Sequence, residues 1–461
     1  MATPPIYDLI IVGGGIAGLR VGIEALKQNP FTHCCILEKY NYIGGRIVTF
    51  RKTIPRVGEV QWENGAGRIS ITHHKVLSLF SRYNLTFVPI SEDINYINDP
   101  TVGTVDGPIM TGNKFTDLIK VYLDPLAQLS QDILERHTLG ELLDKTLGSG
   151  AAGHFYEQFP YWSEIHTLRA DLALQSFKDE MNSNKGFGVC KEGLSALIDR
   201  MKAEFLERGG KIMIDTELYN ISAYPDSAPA GGALCAGAKP RADKSMHLSC
   251  RVRNTKKTLA FIGRACVLAL HHAALKNING VSQLKVLKHL TMEPLLRMYA
   301  IFPVRRGTWW GKGLNKVVTN SPVRYIIPID SERGIIMISY TDGADARHWI
   351  KEDEGAKEHG DENVKDLVMT EIRRLFPEQN IPNPIFFKQH PWYEGCTYWL
   401  PGKYNVKDES RRSLHPLPGQ MPNLFMCGES FAVKQCWMES ALDQADDLLM
   451  HPKFRDIICR L

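Results

Sequence analysis

The sequence predicts an α/β fold built on a parallel βαβ unit at its amino terminus. Three observations support this fold class. A short apolar strand, Leu9 to Val12, runs into glycines with the spacing G-x-G-x-x-G and then into a helix. A second apolar strand, Cys34 to Leu37, follows the helix. It ends at an acid, Glu38, which lies 20 residues after Gly18, where an acid can bind a ribose hydroxyl group.

Three glycines of this unit, Gly13, Gly15 and Gly18, have separate predicted roles. The first permits a tight turn, the second lets the backbone approach a pyrophosphate, and the third lets helix and strand pack closely. The start of the helix, at Ile16 and Ala17, offers free N–H groups and a partial positive charge to the phosphates. The unit therefore predicts a dinucleotide site, and by itself leaves NAD and FAD both open.

Size and composition exclude several classes of protein. A chain of 461 residues suggests about two or three domains, and a net charge of +4 is too small to argue for nucleic acid or a membrane surface. The ten cysteines show no C-x-x-C pair and no zinc spacing, so we expect reduced thiols and no metal site. Neither a secretory signal nor a run of about 18 apolar residues occurs. We therefore expect a cytoplasmic protein without a membrane tail, and its oligomeric state stays open.

Further motifs narrow the choice of dinucleotide. Gly44-Gly45-Arg46 follows the second strand, and a loop of small residues, Gly65-Ala66-Gly67-Arg68, comes later. Near the carboxyl terminus, Gly428-Glu429 precedes Cys436-Trp437-Met438-Glu439-Ser440-Ala441. Together these motifs resemble the flavin-containing amine oxidase family, which includes monoamine, polyamine and L-amino-acid oxidases. The resemblance implies a Rossmann-like FAD-binding domain of the glutathione-reductase type, in its amine oxidase branch, with an inserted α+β substrate domain.

The resemblance also divides the chain. It implies that residues 1–74, 186–289 and 393–461 build the FAD-binding domain, and that 75–185 and 290–392 build the substrate domain. Four aromatic residues of the first substrate segment are expected in the core, with a place on a cavity as the alternative: Tyr156, Phe159, Tyr161 and Trp162.

The second FAD segment contains predicted strands. His247 to Arg253 and Lys256 to Ile262 predict a hairpin, and Ala265 to Leu270 predicts a separate buried strand.

The resemblance implies FAD held without a covalent bond. Backbone near Leu218 would contact adenine, and Gly428-Glu429 would approach the ribityl and phosphate groups. The helix that starts in the segment Cys436 to Leu442 would face the flavin pyrimidine with its amino terminus. Gly395-Cys396-Thr397 matches only part of the G-C-Y tripeptide that carries covalent flavin in monoamine oxidases, so a covalent link through Cys396 stays an alternative. The expected cofactor-binding residues are Gly13, Gly15, Ile16, Ala17, Gly18, Glu38, Lys39, Gly45, Arg46, Gly65, Ala66, Gly67, Leu218, Gly428, Glu429 and Met438.

Candidate catalytic residues follow from the same resemblance. Arg68 matches an arginine that binds the substrate carboxylate in L-amino-acid oxidases, and a guanidinium can hold a carboxylate with two parallel bonds. Alternatively, Arg68 pairs with a flavin phosphate or a surface acid. Trp437 falls on the family's aromatic-cage position, with Tyr398 or Trp399 as the opposite wall.

Arg297 departs from the family pattern. Most members carry a lysine at this position, and that lysine holds a water against flavin N5. An arginine cannot accept a proton near neutral pH, which puts fast reaction with oxygen in doubt. An alternative is that Arg297 is a solvated strand residue.

The predicted function is oxidation of a C–N bond in a small-molecule amine or L-amino acid to an imine, with oxygen reduced to hydrogen peroxide. Neither a nucleic acid nor a membrane is an expected partner. The alternative is a flavoprotein of the same fold without amine turnover, either a desaturase-type oxidoreductase or a flavin-stabilised interaction protein.

Overall fold

The computed structural model describes residues 4–99, 117–181, 186–224, 245–355 and 360–460. The chain folds as a mixed α/β protein around two larger β-sheets. Its strands are β1 (Ile6–Val12), β2 (Cys34–Leu37), β3 (Thr49–Ile54), β4 (Gly58–Glu63), β5 (Ile69–Ser70), β6 (Phe87–Pro89), β7 (Ile94–Tyr96), β8 (Phe187–Cys190), β9 (Lys211–Met213), β10 (Thr216–Ala223), β11 (Met246–Val252), β12 (Thr258–Leu268), β13 (Leu290–Ile301), β14 (Lys316–Val318), β15 (Tyr325–Asp330), β16 (Ile335–Asp342), β17 (Phe386–Trp399) and β18 (Leu424–Met426).

Helices fill the connections between these strands. The α-helices are α1 (Ile16–Gln28), α2 (His74–Arg82), α3 (Asp124–Leu126), α4 (Gln131–Arg136), α5 (Leu139–Leu147), α6 (Ala151–Gln158), α7 (Ser163–His166), α8 (Ala170–Ser176), α9 (Ser195–Glu207), α10 (His272–Lys276), α11 (Gly343–Gly355), α12 (Gly360–Leu375), α13 (Val406–Ser413), α14 (Met438–Met450) and α15 (Pro452–Arg460). Shorter turns of π-helix lie at Ile119–Leu123 and Phe177–Met181, and 3-10 turns at Lys285–His289 and Glu429–Phe431.

The first sheet has seven strands and contains the predicted βαβ unit. Its order is β10-β11-β12-β1-β2-β9, and β18 also pairs with β12. Strand β1 runs parallel to both of its neighbours, with Leu9 opposite Cys34 and Val12 opposite Leu268. Such central parallel strands are covered on both faces, which explains why β2 is apolar and buried at all four positions.

Close packing fixes α1 against this sheet. A Cβ added at Gly18 would lie 2.1 Å from the carbonyl oxygen of Gly13, and one at Gly22 would lie 2.7 Å from the ring of Phe205 in α9. Larger residues at these two positions would push the helix away from its neighbours, so the start of α1 is held over the end of β1.

The second sheet has six strands, in the order β17-β13-β16-β15-β14-β7. Side chains of β13 alternate between two environments, as they do along any strand. Leu296 and Met298 lie in a core that includes residues of α11 and α12. Leu295 and Arg297 face the opposite side, where they line a cavity. The domain boundaries expected from the sequence stay a prediction.

One strand differs from its prediction. The segments ending at Ile262 and beginning at Ala265 were expected to be separate, but β12 is continuous through Gly263 and Arg264. The first half of β12 pairs with β11, and its second half pairs with β1. Hydrogen bonds to neighbouring strands therefore continue across Gly263 and Arg264, where a break was expected. The polar Arg264 is accommodated by an ion pair with Asp8, at 2.8 Å.

Within the described part of the chain, none of the helices combines the length and the apolar character needed to cross a membrane.

Candidate active site

A cavity of about 840 Å³ is lined by residues of both larger sheets. Nearly all of the site residues expected from the sequence line it; the exception among them is Gly18, which is packed against Gly13. The lining residues among them are Gly13, Gly15, Ile16, Ala17, Glu38, Lys39, Gly45, Arg46, Gly65, Ala66, Gly67, Arg68, Leu218, Arg297, Tyr398, Gly428, Glu429, Trp437 and Met438.

The structure distinguishes between aromatic alternatives that the sequence left open. Trp399 is fully buried away from the cavity, where its indole N–H donates to the Ala432 carbonyl at 2.8 Å, so Tyr398 is the wall residue of the pair. Adjacent residues of a strand face opposite sides, which separates these two rings. Tyr161 was expected in the core, with a place on the cavity as the alternative, and it has both positions: its ring belongs to the hydrophobic core and it also lines the cavity.

The backbone at the start of α1 forms an open cradle. A Cβ added at Gly15 would meet no atom within 4 Å, although Gly15 is a cavity residue. Gly15 is also the N-cap of α1, no side chain caps this helix, and its first turn carries no acid. The unpaired N–H groups and the positive end of the helix dipole therefore remain available to an anion such as a pyrophosphate.

Glu38 lies beside this cradle at the end of β2. One of its oxygens accepts the Gly14 N–H at 2.7 Å and the other accepts the Tyr40 N–H at 2.9 Å. These bonds fix the carboxylate, and each oxygen keeps a second lone pair for a ribose hydroxyl. Burial raises the pKa of Glu38, an effect that the backbone N–H groups oppose.

An ion pair joins the distant motifs. The Arg46 guanidinium donates to the Gly395 carbonyl of β17 and to the Glu429 carboxylate, both at 2.7 Å. Burial alone would lower the pKa of Arg46, but the Glu429 carboxylate outweighs it and the net shift is upward. Arg46 therefore ties the loop after β2 to β17 and to the carboxyl-terminal segment around one cavity.

Arg68 lies at another part of the cavity among aromatic rings. Its Nη2 donates to the Tyr161 hydroxyl, and its guanidinium carbon lies 5.8 Å from the Tyr161 ring centre and 5.4 Å from that of Phe187. Burial opposes its charge, but Tyr161, Tyr325 and Tyr340 offset that effect and raise the pKa of Arg68. Among the described residues, no carboxylate forms an ion pair with it. The Arg68 guanidinium is therefore available to bind an anion in the cavity.

Arg297 is buried on the cavity wall and is not a solvated strand residue. Its Nη1 donates to the Glu63 carbonyl at 3.1 Å, and its guanidinium lies 4.7 Å from the Tyr340 ring centre. Burial lowers its pKa, but Tyr340 and Tyr299 outweigh that effect and the pKa is raised. Arg297 is therefore a fixed cation, unable to accept a proton.

A pair of acids faces the cavity without any prediction from the sequence. Asp342 ends β16 and accepts the backbone N–H groups of Trp162 and Ser163, at 2.7 and 2.9 Å. Glu164 is the residue after Ser163, and its Oε2 has no hydrogen-bond partner among the described atoms. Burial, reinforced by Asp342, raises the pKa of Glu164 to about 8. The segments that contain Glu164 and Asp342 lie 180 residues apart in the sequence. Neither segment contains a motif that could have identified its acid.

Trp437 is held edge-on to His73, with ring centres 4.8 Å apart, and parallel to Phe187 at 6.0 Å. Burial lowers the pKa of His73 to about 4, so its imidazole is neutral near pH 7. Phe187 also contacts Arg68, so Trp437 and Arg68 lie on the same wall of the cavity.

Comparison with known proteins identifies the family and supports the fold. The family model for flavin-containing amine oxidoreductases matches residues 16–447. A variant of putrescine oxidase with a redesigned cofactor site shares the fold at a TM-score of 0.68 and 15% identity, covering 99% of this chain and 100% of that one. A protein from Exiguobacterium sp. 255-15 described as a protoporphyrinogen oxidase does so at 0.65 and 16%, with 99% and 100% coverage.

A much shorter match concerns a curated relative. Over 39 residues, which are 8% of this chain and 9% of the relative, the chain is 62% identical to the mitochondrial L-2-hydroxyglutarate dehydrogenase of Dictyostelium discoideum. This chain therefore spans under a tenth of the relative's length in that match.

The residues present fit FAD, because the open cradle at Gly15, the fixed carboxylate of Glu38 and the Arg46–Glu429 pair meet in one cavity. The cofactor is FAD, the protein is an FAD-dependent oxidoreductase, and the chain belongs to the family of flavin-containing amine oxidoreductases.

Proposed function

We propose that this flavoenzyme oxidises the C–N bond of an amine that also carries a carboxylate, such as an L-amino acid. The product is an imine, and oxygen is reduced to hydrogen peroxide. The observation that carries this proposal is Arg68: a guanidinium on the cavity wall, aligned by Tyr161 and free of any ion pair with a described carboxylate. A carboxylate would supply two parallel charge-assisted bonds.

The positions of the cavity residues suggest a separate role for each in this reaction. Bound FAD supplies the acceptor for two electrons and a hydrogen from the carbon that bears nitrogen. Arg68 orients the substrate through its carboxylate, and Tyr161 fixes the plane of the guanidinium. Tyr398 and Trp437 exclude water and offer ring faces that attract a cationic amine.

The ammonium group of the substrate would lie beside Glu164 and Asp342. An isolated carboxylate is unfavourable inside a cavity, which is why burial raises the pKa of Glu164 to about 8. An ammonium beside it would restore the ionised form. The cavity would then contain a cationic region at Arg68 and an acidic region at Glu164, which matches a zwitterionic substrate.

A second candidate function rests on Arg297. Because this arginine is a fixed cation, the lysine-held water of related oxidases has no equivalent proton acceptor at this position. Two guanidinium groups on one cavity also suit an anionic substrate without an amine. A desaturase-type oxidation of a carboxylate-bearing substrate is therefore the alternative.

Anaerobic flavin reduction separates these possibilities. The holoenzyme is mixed without oxygen with a panel of L-amino acids, each paired with the amine formed from it by decarboxylation. We expect loss of the oxidised flavin absorbance with at least one amino acid, and slower loss with its paired amine. Oxidised flavin that persists with every amino acid and amine would overturn the proposal. Admitting oxygen afterwards and measuring peroxide tests the acceptor.

A further inference from the structure

Two cysteines, Cys396 and Cys436, line the FAD cavity, and no role in the proposed amine chemistry involves them. Cys396 lies on β17, and Cys436 lies in the segment just before α14. Both are partly exposed and reduced, whereas most of the other described cysteines are buried in the core. Among the cysteines that the structure describes, these two alone line the cavity.

The two cysteine side chains are neighbours on the cavity wall. The Cys436 Sγ lies 3.6 Å from the carbonyl oxygen of Thr397, the neighbour of Cys396. The neighbouring Cys396 side chain, more than burial, raises the pKa of the Cys436 thiol.

The surrounding bonds hold both cysteines in place. Cys436 has a φ of +72°, a left-handed conformation that residues with a Cβ rarely adopt. Its backbone N–H donates to Glu429 at 2.7 Å, and on the other side Arg46 donates to the Gly395 carbonyl next to Cys396. Strained backbone of this kind persists only where the surroundings enforce it, and it is concentrated at functional sites.

We propose that Cys396 and Cys436 form a redox-active dithiol–disulfide pair that exchanges two electrons with the FAD. When the pair is oxidised, two S–H bonds break and one S–S bond forms. The two electrons pass to the oxidised flavin, together with one proton or two, and any remaining proton goes to solvent. In the reverse direction the reduced flavin returns two electrons and the disulfide takes up two protons. The enzyme would then store four electrons, two on each centre.

An anaerobic reductive titration tests this pair without any amine substrate. The holoenzyme is oxidised with diamide, freed of the reagent, and titrated with dithionite while the flavin absorbance is recorded. We expect four electrons per FAD in the unsubstituted protein and two in Cys396→Ser and Cys436→Ser. Cys459→Ser is the control, because Cys459 is exposed and outside the cavity lining, and it should still take four.

Peptide mapping of the unsubstituted protein gives an independent readout that does not depend on how the variants fold. A linked pair of peptides containing Cys396 and Cys436 is expected after diamide, and free thiols after full reduction. A titration that ends at two electrons, absence of the linked peptides, or flavin found covalently on Cys396 would each overturn the proposal. Because no amine is used, failure here leaves the proposed amine oxidation untouched, and failure of that function leaves this test valid.

Discussion

The proposed cofactor end and the proposed substrate end of the cavity are built in different ways. At the cofactor end, backbone groups and short motifs form the site: the open turn at Gly15, the start of α1, and a carboxylate fixed by neighbouring N–H groups. At the substrate end, the chemistry comes from side chains on separate elements, such as Arg68, Tyr161 and Asp342. The first end is specified by local sequence, whereas the second exists only after the whole chain has folded.

The largest expected effect tests whether the cofactor end depends on an open backbone. In Gly15→Val the new side chain meets no protein atom at its Cβ and the backbone φ is ordinary, so the fold should persist. The side chain would instead occupy space that the cofactor needs, weakening FAD binding by about 100-fold or more. Flavin content and circular dichroism measure the two outcomes.

Gly419→Val is the control for Gly15→Val, because Gly419 is exposed and a Cβ there also meets nothing within 4 Å. It should retain full flavin content. Normal FAD affinity in Gly15→Val would show that the cradle is not the dinucleotide site.

The next effect concerns the ion pair between Arg46 and Glu429. In Glu429→Gln, Arg46 loses the carboxylate that compensates its burial, and we expect the free energy of unfolding to fall by about 2–3 kcal/mol. Urea unfolding at saturating FAD measures the change. The matched control is Glu362→Gln, which removes an exposed partner of Lys365 and should cost less than about 0.5 kcal/mol. Equal losses in the two variants would contradict a special role for Arg46 and Glu429.

A smaller effect follows from the acid at the substrate end. The pKa of Glu164 is raised from 4.5 to about 8, so the native state keeps a proton that the unfolded state releases in this range. This group therefore makes stability fall as pH rises from about 4.5 to about 8. Glu164→Gln removes that loss, so the variant should become more stable relative to the unsubstituted protein as the pH rises from about 5 to about 8.5. Urea unfolding at both pH values checks the sign, and a relative loss with rising pH would contradict it.

The difference between the two ends of the cavity explains which site residues could be predicted from the sequence. Gly15 and Glu38 were identifiable because a turn and the acid after the next strand occupy fixed positions within about 25 residues. Arg68 was identifiable because it follows a small-residue loop that resembles one in related enzymes. Glu164 and Asp342 gave no signal, because their proximity depends on how α7 meets the end of β16. The choice between Tyr398 and Trp399 was also open, because the pairing of a strand within its sheet decides which of its side chains face the cavity.

The most direct test of the proposed function is the effect of Arg68→Met on one pair of substrates. The pair is the best L-amino acid of the panel and the amine formed from it by decarboxylation. Loss of the charge-assisted bonds should lower kcat/KM for the amino acid by about 10–100-fold and leave that for the amine within about threefold. Flavin content should be unchanged. Equal losses for both compounds, or loss of FAD itself, would show that Arg68 serves the cofactor and would contradict the account.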